Sequence, residues 1–348
     1  FGVAGIILTL LIVSSYTLYK EANQRETLLR LLIQQLNDYH YAPQSLNDDF
    51  SENLYDSFIK RLDYGKKYFT QGDLKSLETY RKDLDNQAKE KSFVFFDKAT
   101  EIYLERLNET EQYTEEILSQ PFDLDKKENY QADPEKTDFP KTQEELKESW
   151  RKMLKFQTLA RYANLVKKQE DKEEGEKLSP EEMEEKAREK VLKTYKDRFH
   201  RLAKYNQKDY RNIYINSLVG LYDPHTVYFP PKDRADFDIQ FAGKLEGIGA
   251  RLVDREGFVT VTEVVPGSPS SQQGDLEVGD AILKVGLGVD EPVDIEDMRV
   301  DEAGLLIRGK KGTEERLTVR KKDGNEMVIH IVRDKVKLEE TYAKSAVL

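Results

Sequence analysis

Leu245-Glu246-Gly247-Ile248-Gly249-Ala250-Arg251-Leu252 is the stretch on which the reading of this chain turns. Two glycines flank Ile248, and the residues after them alternate apolar and polar as a half-buried strand does. A strand therefore starts at a glycine-rich loop. Glycines there let the backbone take positive φ and gather successive N–H groups around one concavity, which holds a carboxylate without a basic side chain. Each charge-assisted hydrogen bond of this kind contributes roughly 1.5–3 kcal/mol. Downstream come Gly257-Phe258-Val259-Thr260-Val261-Thr262, the turn Pro266-Gly267-Ser268-Pro269-Ser270-Ser271, and then the run from Gly274 to Gly286. Asp301-Glu302-Ala303-Gly304-Leu305-Leu306-Ile307-Arg308-Gly309 reads as a short helix ended by Gly309, and a strand follows at Arg316-Leu317-Thr318-Val319-Arg320.

This order of loop, strands and turns resembles a PDZ domain. The resemblance implies that the C-terminal tail of another polypeptide adds as a strand along a sheet edge, with its free carboxylate in the glycine loop. It places Gly247, Ile248, Gly249 and Ala250 around the carboxylate, Arg251 and Leu252 along the added strand, and Val300, Leu305 and Leu306 on the facing helix. Gly304 lies within that helix, where glycine costs about 1 kcal/mol against alanine and softens the wall.

The chain has 348 residues, 35% of them charged, enough for two or three domains with substantial cores. A net charge of -11 and the lack of a basic stripe interleaved with aromatics argue against nucleic acid as a partner. With no cysteine, disulfides, thiolate metal sites and a cysteine nucleophile are excluded. The histidines, at 40, 200, 225 and 330, are scattered, so neither a metal site nor a cofactor is indicated. Residues 1–19 are nearly all apolar, broken only by Thr9, Ser14, Ser15 and Thr17, and end at Lys20. That is the length of a short inner-membrane anchor or a signal-peptide core, so the expectation is export to the periplasm or cell envelope.

From 22 to about 235 the expected domain is helical. Leu28, Leu29, Leu32, Leu36 and Tyr39 form one apolar stripe, and Leu54, Phe58 and Leu62 another. Further helices are expected over Gly72–Ala88, Ser92–Leu118, Gln143–Lys168, Ser179–Tyr205 and Asp209–Leu221. Ser179-Pro180-Glu181-Glu182 supplies an N-cap, a proline at the first helical position and acids in the first turn. Pro121–Lys141 reads as a connecting loop that wraps the helices, and Gln169–Lys177 as a solvated charge run. The fold class is thus α+β: a large all-α domain at 22–235, then a PDZ domain at 236–336.

Several separate segments are similar to one family, the carboxy-terminal processing peptidases or tail-specific proteases. Leu62-Asp63-Tyr64-Gly65-Lys66-Lys67-Tyr68-Phe69 looks like its early LDxxxxYF segment, and Glu145 to Gln157 like its tryptophan-bearing helix. Tyr222-Asp223-Pro224-His225-Thr226-Val227-Tyr228-Phe229 resembles its DPHTxYF segment, and Leu245 to Ala250 its LEGIGA loop. Asp223 and His225 read better as a turn than as a catalytic pair, with His225 capping the connection. The family implies a serine nucleophile activated by a lysine base in a domain after the PDZ domain, where residues 337–348 would begin it. No residue of this chain is assigned a catalytic role; Ser268, Ser270 and Ser271 fall in a PDZ loop. The expected function is substrate recognition for such a protease, with C-terminal tails and an adaptor protein as partners. A non-enzymatic envelope PDZ adaptor is the alternative. A trypsin-like PDZ protease fits poorly, because the region before the PDZ domain reads as helices.

Overall fold

The computed structural model describes residues 24–169, 177–231, 234, 237, 244–255, 257–288 and 290–337. The expected membrane-length segment at 1–19, most of the charge run at 169–177 and residues 338–348 lie outside the described residues. The chain divides into two compact units, Phe1–Tyr228 and Phe229–Leu348. The first is helical and the second is built on an antiparallel sheet, so the fold is α+β. Among the described residues no helix is long and apolar enough to cross a membrane.

In the helical unit α1 is described over 24–39, followed by α2 (Asp48–Leu62), α3 (Gln71–Leu77) and α4 (Leu84–Glu90). The long helices α5 (Val94–Leu118), α6 (Gln143–Gln169), α7 (Pro180–Ala203) and α8 (Gln207–Val219) complete it. Asn47 caps α2 by accepting the amide of Phe50, and Leu54, Phe58 and Leu62 are buried as their spacing requires. Leu29 and Leu36 of α1 are buried too, but Tyr39 is 78% exposed, being the last helical residue before the chain turns at His40. The single helix expected over Gly72–Ala88 is two. Its second half starts afresh because Ser51, reaching from α2, accepts the amide of Asp85 at 2.9 Å and donates to its carboxylate. Ser179 is the expected N-cap of α7, and with Glu182 it forms a capping box, each side chain accepting the other's amide.

The core is aromatic. Phe58, Phe95, Phe96 and Tyr214 meet at centroid distances of 5.1–6.3 Å, and Trp150 packs on Tyr195 and Phe199. The 121–141 loop wraps this body: Tyr130 and Phe139 pack against the core, and Glu128 receives Arg151 and Lys155. The capping role expected of His225 belongs elsewhere. His225 is exposed, while Asp223 accepts the amide of His225, the hydroxyl of Thr226 and a contact from His40 Nε2 at 3.0 Å. Those partners, Thr226 first, hold the Asp223 carboxyl down to about 2.

The second unit runs β1 (Lys244–Gly247), β2 (Ala250–Arg255), β3 (Phe258–Val264), α9 (Pro269–Gln273), β4 (Ala281–Leu287) and β5 (Val293–Asp294). After these come α10 (Val300–Ile307), β6 (Glu314–Arg320), β7 (Glu326–Val332) and β8 (Asp334–Lys337). The strand order is β2-β3-β4-β6-β7, with β5 beside β4 and β1 paired separately with β8. Alternation puts Val259, Val261, Ile282, Leu317, Val319, Ile329 and Ile331 into one core with Ala303 and Ile307 of α10.

Phe58 is fully buried at the crossing of α2, α5 and α8, so Phe58→Ala should cost about 3–5 kcal/mol. Denaturant unfolding followed by Trp150 fluorescence measures it, and a cost under about 1 kcal/mol would contradict this packing.

Candidate functional site

β2 is the edge of its sheet, paired with β3 on one side, and α10 packs beside it. The space between them is the candidate groove, and the loop joining β1 to β2 stands at the start of that edge. Two carbonyls fix that loop. Ile248 O accepts the amide of Ser270 at 2.9 Å, and Gly249 O accepts the amide of Val265 at 2.9 Å and the hydroxyl of Ser268 at 3.2 Å. In a trans planar peptide the N–H opposes the preceding C=O, and there are no cis bonds here. Tying both carbonyls to the 265–270 loop therefore aims the amides of Gly249 and Ala250 the other way. Among the described residues no hydrogen bond uses the amide of Ile248 or of Gly249.

Glycine is required at 249 on two counts. Its φ is +79°, and a Cβ there would lie 2.2 Å from Ser268 Cβ and 3.2 Å from Val336 Cγ2. Ser268, far from acting as a nucleophile, caps α9 by accepting the amide of Ser271 and clamps this loop. Ile248 sends its side chain into the core at 2% exposure, so only its backbone is offered to the groove. Ala250 and Leu252 are half-buried against the core, and Arg251 is exposed near Glu263 at 3.3 Å.

On α10 the buried positions are Ala303 and Ile307. At 100° per residue Val300 and Gly304 lie on one flank of that stripe, Leu306 on the other, and Leu305 on the outward face, 51% exposed. A Cβ built on Gly304 meets nothing within 4 Å, so space is open beside it. Sequence reasoning took Gly304 only as a soft point of the wall, and it did not single out Arg308, whose Cα lies 3.8 Å from a Cβ built on Gly247. The interval from Gly247 to Arg308 in the chain hid that contact.

The end of α10 is held by Arg333, which stands between β7 and β8. Its Nε donates to Ile307 O at 2.9 Å, Nη2 to Leu306 O at 3.0 Å and Nη1 to Thr313 Oγ1 at 3.1 Å. Glu315, on the core face of β6, faces Nη2 at 3.2 Å, and both side chains are shut from solvent at 1% and 0% exposure. Gly309 does not end the helix, which stops at Ile307. It makes room for Arg333, because a Cβ at 309 would sit 3.0 Å from the guanidinium carbon.

Residues 32–232 match the tail-specific protease N-terminal domain family, and residues 237–320 match the PDZ domain family. The chain belongs to the tail-specific protease family. It is 30% identical over 311 residues to the tail-specific protease of Haemophilus influenzae, covering 89% of this chain and 42% of that relative. To the carboxy-terminal processing protease CtpA of Bacillus subtilis it is 31% identical over 127 residues, covering 36% of this chain and 26% of CtpA. Its sheet unit is 37% identical to the crystallised PDZ domain of a Vibrio cholerae carboxy-terminal protease in complex with peptide, over 27% of this chain and 99% of that one, with a TM-score of 0.27. This tail-specific protease chain thus spans less than half the length of the two relatives.

Burial pushes the Glu315 carboxyl up from 4.5 to about 8 against the opposing charge of Arg333. An acid that holds its proton more tightly when folded stabilises the fold below its unfolded value, and that stability is lost as pH rises toward the folded one. Hydrogen-exchange protection of β6 and β7, corrected for intrinsic rates, should therefore fall between about pH 4.5 and 8. Glu315→Gln should flatten the slope; an equal slope in the variant would place its origin elsewhere.

Proposed function

We propose that the PDZ unit captures apolar C-terminal tails of proteins and presents them for cleavage by a carboxy-terminal processing serine protease. The observation that carries the reading is the pair of carbonyls at Ile248 and Gly249 pinned to the 265–270 loop, which turns the following amides outward at the end of an edge strand. A carboxylate at that point accepts from the Gly249 and Ala250 amides. The tail extends β2 past Arg251 and Leu252, and its side chains face Val300 and Gly304 more than Leu305. On this reading 22–235 is a helical domain, 236–336 the PDZ domain, and 337–348 the lead into a protease domain that supplies the serine and lysine. Residues 1–19 direct export, and the protein works in the periplasm or cell envelope of a bacterium.

A fluorescent peptide with an apolar free C-terminus should bind the chain, and amidating that terminus should weaken binding by about tenfold or more, the worth of a single charge-assisted bond. Gly249→Ala should weaken it similarly while the sheet signal in circular dichroism survives. Equal affinity for the acid and the amide would remove the carboxylate from the site.

A further inference from the structure

The segment Leu62–Phe69 and the helix bearing Trp150 play no part in the PDZ groove, yet they meet at one cavity of about 540 Å³ within the helical unit. Asp63 builds the turn beneath it. Its carboxylate, 3% exposed, accepts the amides of Lys67, Tyr68 and Phe69 at 2.7, 2.8 and 3.0 Å. The same turn offers the carbonyl of Lys67 to Trp150 Nε1 at 2.7 Å, and Lys66 bonds the carbonyl of Thr137. The Lys67 side chain is left lining the cavity together with Arg198 of α7.

The charges there do not balance. The cavity is lined by the cations Arg61, Lys66, Lys67 and Arg198 and by one acid, Asp63, whose carboxylate is already used by the turn. Neither Lys67 nor Arg198 pairs with an acid side chain by a salt bridge among the described residues. Burial first, and then the nearby charge of Arg198, hold the Lys67 ammonium below its ordinary range against the smaller opposing pull of Asp63. Tyr68 and Tyr210, each 3% exposed, also line the cavity, the Tyr68 hydroxyl facing Arg198 and the Tyr210 hydroxyl having no hydrogen-bond partner among the described residues. All this lies in a chain whose net charge is -11.

We propose that this cavity binds a small ligand carrying a single oxyanion, carboxylate or phosphate, on an apolar or aromatic body. The anion sits between Lys67 and Arg198, and the body packs on Tyr103, Tyr130 and Trp150. A half-buried site strengthens such charge-assisted bonds, and the volume falls in the range of small-molecule sites.

Trp150 is the only tryptophan of the chain and lines the cavity, so its emission reports on this site. The chain is titrated at constant ionic strength with phenyl phosphate, benzoate, inorganic phosphate and the neutral benzyl alcohol. A saturable change with phenyl phosphate or benzoate and none with benzyl alcohol is expected, and the tighter of the two acids names the source of the oxyanion. Lys67→Met and Arg198→Gln should each weaken binding about tenfold or more with helicity retained. If Lys67→Met fails to fold, Arg198→Gln and Arg198→Lys carry the test, with binding lost in the first and largely kept in the second. No saturable change up to about 10 mM of any acid, an equal response to benzyl alcohol, or unchanged affinity in the folded variants would overturn the proposal.

Discussion

The Arg333 guanidinium bonds the carbonyls of Leu306 and Ile307 and the hydroxyl of Thr313, and it faces the carboxyl of Glu315. The last turn of any helix leaves its carbonyls without intrahelical partners. In α10 the last two of these face the interior, where an unpaired acceptor costs about 1–3 kcal/mol. Arg333 supplies both donors from the junction of β7 and β8, so the wall of the groove is positioned by the far end of the sheet. Glu315, pushed up to about 8 by burial, keeps its proton beside Arg333 at neutral pH, so the contact adds little as an ion pair. What fixes the placement of α10 is that the Arg333 donors reach the carbonyls of both Leu306 and Ile307. Gly309 follows from that choice, since any side chain at 309 would occupy the space of the guanidinium.

The helical unit uses a carboxylate in the same way. Asp63 replaces the missing partners of three consecutive amides, and the turn so formed points the Lys67 carbonyl at the indole of Trp150. Trp150 in turn stacks on Phe199, which joins α6 to α7. A local device at the end of α2 thereby sets where two long helices stand and what borders the cavity between them. In both units a buried charged side chain takes over bonding that the backbone alone leaves unmet.

Much of this could be read in the sequence because the signals were local. Ser179 and Glu182 are three residues apart, the glycines around Ile248 are adjacent to the strand they start, and the stripes on α2 repeat within one helix. What escaped is non-local. Ser51 breaks the helix expected over Gly72–Ala88 from 34 residues away, and His40 meets Asp223 across 183. Gly309 looked like a helix stop because glycine usually is one, while its real neighbour, Arg333, stands at the junction of β7 and β8. Leu305 and Leu306 were attractive as apolar wall residues. Helical phase puts Leu305 on the outward face, with Val300 and Gly304 on one flank of the buried stripe and Leu306 on the other, and a glycine announces an open space only when its neighbours are known.

The charge of the whole chain makes the architecture of both sites intelligible. A net charge of -11 repels anions, yet at physiological ionic strength that repulsion is screened within about 8 Å. Anion recognition on such a protein has to be short-range, from donors that are fixed in place and sheltered from water. Backbone amides aimed by the pinned carbonyls of Ile248 and Gly249 meet that requirement without any positive charge. The cavity at Lys67 meets it with charge, and burial together with the nearby Arg198 lowers the hold of Lys67 on its proton. An amide loop discriminates by direction and tolerates a long chain leaving the groove. A pair of cations in a half-buried cavity discriminates by charge and size, so of the two proposed sites the first suits a polymer end and the second a small molecule.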